Sequence, residues 1–123
     1  METEHFFVTG AMGCIGSWVV RNLVEAGIPV TSFDLSDDRH RLELIMSSDQ
    51  LSQVNFVSGD LTNTTELKTA ILDCGATRII HLGALQVPFC KADPMGSTKI
   101  NVIGSTNIIE LAQLPGERAK IFK

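Results

Sequence analysis

The chain has 123 residues, enough for one domain with one core, and 44% of them are hydrophobic. Ten Lys and Arg stand against 14 Asp and Glu, a formal charge of −4, and no basic patch stands out of the kind a general nucleic-acid binder carries. No apolar run approaches the roughly 20 residues that span a bilayer, and Met1-Glu2-Thr3-Glu4-His5 lacks the basic start of a signal peptide. A cytoplasmic protein with no membrane or nucleic-acid partner is the expectation.

In chain order, apolar runs alternate with helical patterns. His5-Phe6-Phe7-Val8 reads as a short buried strand ending at Thr9-Gly10. Gly13 to Ala26 reads as a helix, with Ile15, Val19 and Leu23 four residues apart and Gly27 suited to the position just past its end. Pro29 to Asp34 is a second strand, where proline fits only at the start. Asp38 to Met46 is a short helix with Leu42, Ile45 and Met46 on one face, so Arg39-His40-Arg41 falls on a solvated turn of it. Ser47 to Gln53 is polar and reads as a connection. Val54-Asn55-Phe56-Val57 is a third strand. Asn63 with Glu66 three residues later resembles a capping box, opening a helix striped by Leu67, Ala70, Ile71 and Cys74. Arg78 to Leu82 is a fourth strand. Asp93-Pro94 offers an N-cap and a proline at the first helical position. The helix after it runs to about Leu114, with Ile100, Ile103, Ile108 and Leu111 inside. Ala119 to Phe122 begins a fifth strand. Such alternation predicts an α/β fold, a Rossmann-type doubly wound parallel sheet in the order 3-2-1-4-5 with helices on both faces.

Four constellations carry chemistry. In the first, Gly10-Ala11-Met12-Gly13-Cys14-Ile15-Gly16 follows a strand and opens a helix. Glycines let backbone approach a pyrophosphate, and free N–H groups at the helix start donate to its oxygens. The spacing is G-x-x-G-x-x-G, which by itself also suits a strand-to-helix turn without a ligand. The second is Asp34, ending strand two, where a carboxylate can accept from both adenosine ribose hydroxyls and repel a 2′-phosphate. That favours NAD over NADP; the plain alternative is a turn residue. The third is Gly59-Asp60-Leu61 after strand three, with Asp60 placed to meet an adenine edge and Leu61 its face, or Asp60 simply starting a helix. The fourth, His81-Leu82-Gly83-Ala84, ends strand four at the switch point, where small residues leave room for the middle of a cofactor. His81 reads as structural rather than as a general base. Cys14, Cys74 and Cys90 show no metal-ligand spacing, so reduced thiols and no metal site are expected.

The segments TGAMGCIGSWVVRNLVEAG, VTSFD, GDLT, HLGA and DPMGSTKINVIGSTNIIELA, in this order, resemble the N-terminal half of an extended short-chain dehydrogenase/reductase of the NAD-dependent epimerase/dehydratase family. The Asn101 to Asn107 stretch narrows the likeness to the extended branch. The resemblance implies that Gly10, Gly13 and Gly16 shape a pyrophosphate loop, with Cys14 and Ile15 near the cofactor. It implies Asp34 and Leu35 at the adenosine ribose and Asp60 and Leu61 at the adenine. Leu82, Gly83 and Ala84 would run beside the nicotinamide ribose, and Asn101 would face the site from its helix. Gly83 stands where the family often has alanine.

The family's chemistry uses a Ser or Thr after strand five and a Tyr-x-x-x-Lys on the next helix. This sequence has no tyrosine and stops in strand five, so no catalytic residue carries over. Residues 1–123 are expected to be a truncated NAD-binding half-domain without turnover of its own. Its parent would be an epimerase, dehydratase or reductase, often acting on a nucleotide sugar. A naturally short nucleotide-binding module is the alternative. An open edge at strand five and a helix apolar on more than one side predict a homo-oligomer.

Overall fold

The computed structural model describes residues 4–113 and the backbone of residues 120–122. Five strands form one parallel sheet: β1 (Phe6–Thr9), β2 (Val30–Asp34), β3 (Val54–Ser58), β4 (Arg78–His81) and β5 (Lys120–Phe122). Their order is β3-β2-β1-β4-β5, as the alternation predicts. Strands β1 to β4 deal their residues alternately to two cores, one on each face of the sheet. Phe7, Phe33 and Ile79 point to one face, where they pack with Leu67, Ile71, Ile108 and Leu111. Val8, Val30 and Val54 point to the other, with Val20, Val24, Leu42 and Met46.

Helix α1 (Cys14–Glu25) leaves the end of β1 and buries Gly16, Ser17, Val20 and Val24. It stops where Gly27 and Ile28 N–H return to Val24 and Leu23 O, the bonding expected with Gly27 just past the end. Helix α2 (His40–Ile45) buries Leu42 and leaves His40 and Arg41 in solvent. Helix α4 (Thr64–Cys74) buries the predicted stripe of Leu67, Ala70 and Ile71, and Asn63 Oδ1 accepts from Glu66 N–H at its start.

Three expectations need correction. The stretch Ser47 to Gln53 is not a bare connection: it holds a one-turn helix, α3 (Ser48–Leu51), closed by a reciprocal Ser47–Gln50 capping box. The loop after β4 contains a further helix, α5 (Val87–Ala92). The single helix expected from Pro94 is α6 (Pro94–Thr98), a π-helical segment (Lys99–Gly104) and α7 (Ser105–Leu111). The wider π turn shifts the inward face. Gly104 is buried in the position expected of Ile103, which is 47% exposed, while Ile108 and Leu111 are buried as expected. Asp93 does cap α6, accepting from Gly96 N–H. Leu114 and Ala119 lie outside the described residues.

Because β1 and β4 are neighbours while their following connections diverge, the carboxyl ends of the strands open into a crevice between them. Among the described residues no helix is long and apolar enough to cross a membrane.

Candidate dinucleotide site

A cleft of about 520 Å³ runs over the carboxyl ends of β3, β2, β1 and β4. Its floor is the loop from Gly10 to Gly16. Gly10 has φ +70 and donates its N–H to Phe33 O at 3.1 Å, while its own carbonyl accepts from Gly13 N–H at 3.1 Å. A side chain at Gly10 would be strained, and its Cβ would lie 2.7 Å from Gly83 N. A Cβ on Gly16 would overlap Gly10 O and approach Ala11 Cα at 2.8 Å. The loop is therefore folded back on the first turn of α1 with no space between. Ser17 N–H is bonded back to Gly13 O. The preceding N–H groups of Cys14, Ile15 and Gly16 are the unpaired start of the helix, with no acidic side chain in that turn to compete for them.

Asp34 closes the β2 end. Its Oδ2 accepts from Met12 N–H at 3.0 Å and its Oδ1 from Ser36 N–H at 3.0 Å. One carboxylate thus ties the glycine loop to the turn after β2 and stays half-buried at the cleft edge. Leu35 beside it is 68% exposed. Asp60 closes the β3 end, its Oδ1 accepting from both Thr62 N–H and Thr62 Oγ1–H at 2.8 Å. Leu61 follows, seated against Gly104 with its carbonyl held by Asn107 Nδ2 at 2.9 Å.

The opposite wall is the loop after β4. Gly83 donates its N–H to Thr9 Oγ1 at 3.1 Å, and Leu82 N–H is shared between Thr9 Oγ1 and Thr9 O, each at 3.1 Å. Leu85 is held by Asn101, whose Oδ1 accepts from Leu85 N–H at 2.7 Å and whose Nδ2 donates to Leu85 O at 3.1 Å.

Gly10, Gly13, Cys14, Ile15 and Gly16 all line this cleft, as do Asp34, Leu35, Asp60, Leu61, Leu82, Gly83 and Ala84. Asn101 is the exception. It sits behind the wall, both polar atoms of its amide turned to the Leu85 backbone, and it is not part of the lining. His81 is buried beneath the wall. Sequence reasoning missed Phe33, Gly59, Leu85, Gln86 and Ile100 as lining residues. Phe33, Gly59 and Ile100 are adjacent to Asp34, Asp60 and Asn101, and Leu85 and Gln86 extend the loop past Ala84, so proximity to predicted positions was the available signal. Burial moves the protonation of two groups, His5 downward and Cys74 upward, and neither lines the cleft.

Fold and cleft together define a Rossmann-type nucleotide-binding domain with its crevice at the switch point. The sequence model of GDP-mannose 4,6-dehydratases matches residues 7–123, and the chain belongs to that family, within the extended short-chain dehydrogenases/reductases. The chain is 32% identical over 112 residues to an uncharacterized membrane protein of Methanocaldococcus jannaschii, covering 90% of this chain and 33% of that protein. To a UDP-glucose 4-epimerase of Mycolicibacterium smegmatis it is 33% identical over 113 residues, covering 90% and 35%. The fold matches a Thermus thermophilus UDP-glucose 4-epimerase solved with NAD, with TM-score 0.79 and 24% identity, over 95% of this chain and 36% of that one. The chain thus spans about a third of the length of the relatives it matches.

Proposed function

We propose that this chain binds NAD in the cleft, as the cofactor portion of an oxidoreductase of the epimerase/dehydratase type. The observation that carries the reading is the closed glycine loop under unpaired helix N–H groups, with the Asp34 carboxylate at one end of the same cleft. The free N–H groups of Cys14, Ile15 and Gly16 suit a pyrophosphate, and Gly10 and Gly13 let it come close. Asp34 and Leu35 take the adenosine ribose, and Asp60 and Leu61 border the adenine. Leu82, Gly83 and Ala84 flank the nicotinamide ribose. Asn101 serves at one remove, by holding Leu85. Bound NAD would supply a hydride acceptor, and its reduced form a donor. These residues bind and orient it, and the substrate, a nucleotide sugar or other small molecule, together with the acid–base groups, is assigned to sequence beyond them. Residues 1–123 alone bind without turnover. Asp34 selects against a 2′-phosphate because its carboxylate is fixed by two N–H groups and cannot turn aside without leaving both unpaired.

Calorimetric titration with NAD and NADP tests this. NAD binds more tightly, and Asp34→Ala removes most of the difference, about tenfold for one charge-assisted contact pair. Equal affinity for the two dinucleotides in the unmodified protein would sink the assignment. Self-association is proposed with it, on the exposed Val102, Ile103 and Ile109 of one helical run. A monomeric mass by sedimentation at working concentration refutes that part alone.

A further inference from the structure

We propose that Thr9 and His81 are positioning residues that hold the β4 wall of the cleft through one fixed arrangement of protons. The ligand this wall meets rests on the dinucleotide reading above; the proton arrangement does not.

Thr9 and His81 stand opposite each other in the β1–β4 pairing, at the switch point. Thr9 is fully buried and His81 nearly so. A hydroxyl has one hydrogen and two acceptor sites. Two donors point at Thr9 Oγ1: Gly83 N–H, and Leu82 N–H, whose one hydrogen is shared with Thr9 O, each at 3.1 Å. Backbone N–H groups can only donate, so the hydroxyl hydrogen is left for its third neighbour, His81 Nδ1, at 2.6 Å. Nδ1 must then be an acceptor. In the neutral ring the proton sits on Nε2, where Ser105 Oγ lies 2.8 Å away to receive it. The chain of donors runs one way: Leu82 and Gly83 to Thr9, Thr9 to His81, His81 to Ser105.

The consequence reaches the cleft because the Leu82–Gly83 peptide packs directly on Gly10, within van der Waals contact of where a Cβ would stand. Its orientation sets the width between the glycine loop and the β4 wall. The same helical run fastens both ends of the wall, through Ser105 at the His81 end and Asn101 at the Leu85 end.

Nitrogen-15 spectra of the imidazole in the unmodified protein are the first test, and they need no variant. Nδ1 of His81 should show an unprotonated nitrogen and Nε2 a protonated one; a protonated Nδ1 overturns the proposal. The second test measures amide exchange at Leu82 and Gly83 together with affinity for NAD and for AMP, which lacks the nicotinamide ribose that meets the β4 wall. Thr9→Val and His81→Leu should speed exchange at Gly83, while Leu82 keeps its bond to Thr9 O. They should also weaken NAD about tenfold, the effect of losing one buried hydrogen bond, while AMP binding holds. Thr9→Ser and His81→Asn keep a hydroxyl facing an acceptor and should stay close to the unmodified protein even if the harsher variants unfold. Unchanged Gly83 exchange in Thr9→Val, equal losses of NAD and AMP, or failure of both conservative variants each reject the clamp. If the unmodified protein binds neither nucleotide, the dinucleotide reading falls, and the tautomer and exchange measurements alone decide the clamp.

Discussion

From Gly10 to Gly16 the wall of the cleft closes on its own backbone, and Phe33 O and the Asp34 carboxylate fasten it to β2. Gly10 O takes Gly13 N–H, and the start of α1 presses on Gly10 O so closely that no side chain fits at Gly16. From Leu82 to Leu85 the facing wall forms no such local closure. Distant parts of the chain hold it: Thr9 on β1, through its hydroxyl and its carbonyl, and the Asn101 side chain in the π-helical segment. The two walls meet the same space, yet the first has backbone contacts within a short peptide to shape it and the second depends on contacts across the fold. A backbone obstacle cannot move, whereas a wall hung from side chains can give locally.

That contrast orders the expected effects of substitution. Gly16→Ala should do the most harm, because its Cβ meets backbone on two sides. A loss of about 3 kcal/mol in urea unfolding is expected, with nucleotide binding abolished. A stable Gly16→Ala protein that still binds would show the loop to be as adaptable as the wall. Next comes Asn101→Ala, which strips both polar partners from the Leu85 backbone. Since that site is half-buried and water can replace part of the loss, about 1 to 2 kcal/mol is expected, with faster amide exchange confined to Leu85 and its neighbours. Exchange rising equally across the glycine loop would erase the distinction between the walls. Asn63→Ala lies outside both. Losing its bond to Glu66 N–H should cost about 1 kcal/mol in thermal unfolding and leave nucleotide affinity alone. Gly83→Ala should do least, about 0.5 kcal/mol. The nearest obstacle to its Cβ is Leu61 Cδ1, the free end of a side chain that can swing away, and Thr9 Oγ1 behind it at 3.3 Å need give by only a few tenths of an ångström. Measured side by side, Gly16→Ala and Gly83→Ala give the comparison its sharpest form, one methyl against backbone and one against a rotatable leucine.

The site was legible wherever its signal was local. The glycine spacing, Asp34 at a strand end and the Asp60-Leu61 pair were readable because a strand end and a helix start place nearby residues predictably on one side of a sheet. All of these line the cleft. Asn101 was not placed correctly, since helical periodicity alone does not say which neighbour a side chain will bond. The π turn compounds this, carrying Gly104 to the position where regular periodicity expects Ile103. Helix α3 was also missed, although Ser47 and Gln50 have capping-box spacing. Polarity alone suggested a loop there, and a four-residue helix leaves no periodicity to detect.

The amino-acid sequence by itself determined the alternation of strands and helices, the order of the sheet, the family likeness and the glycine loop. These follow from periodicity and from constraints between residues a few positions apart. Tertiary structure decided how the other wall is hung. Thr9 and His81 lie 72 positions apart in the chain, and Asn101 and Leu85 lie 16 apart. Each such contact depends on the sheet closing in one register and on the helix taking one wide turn. A hydroxyl's single hydrogen acquires a direction only when all three of its neighbours are in place.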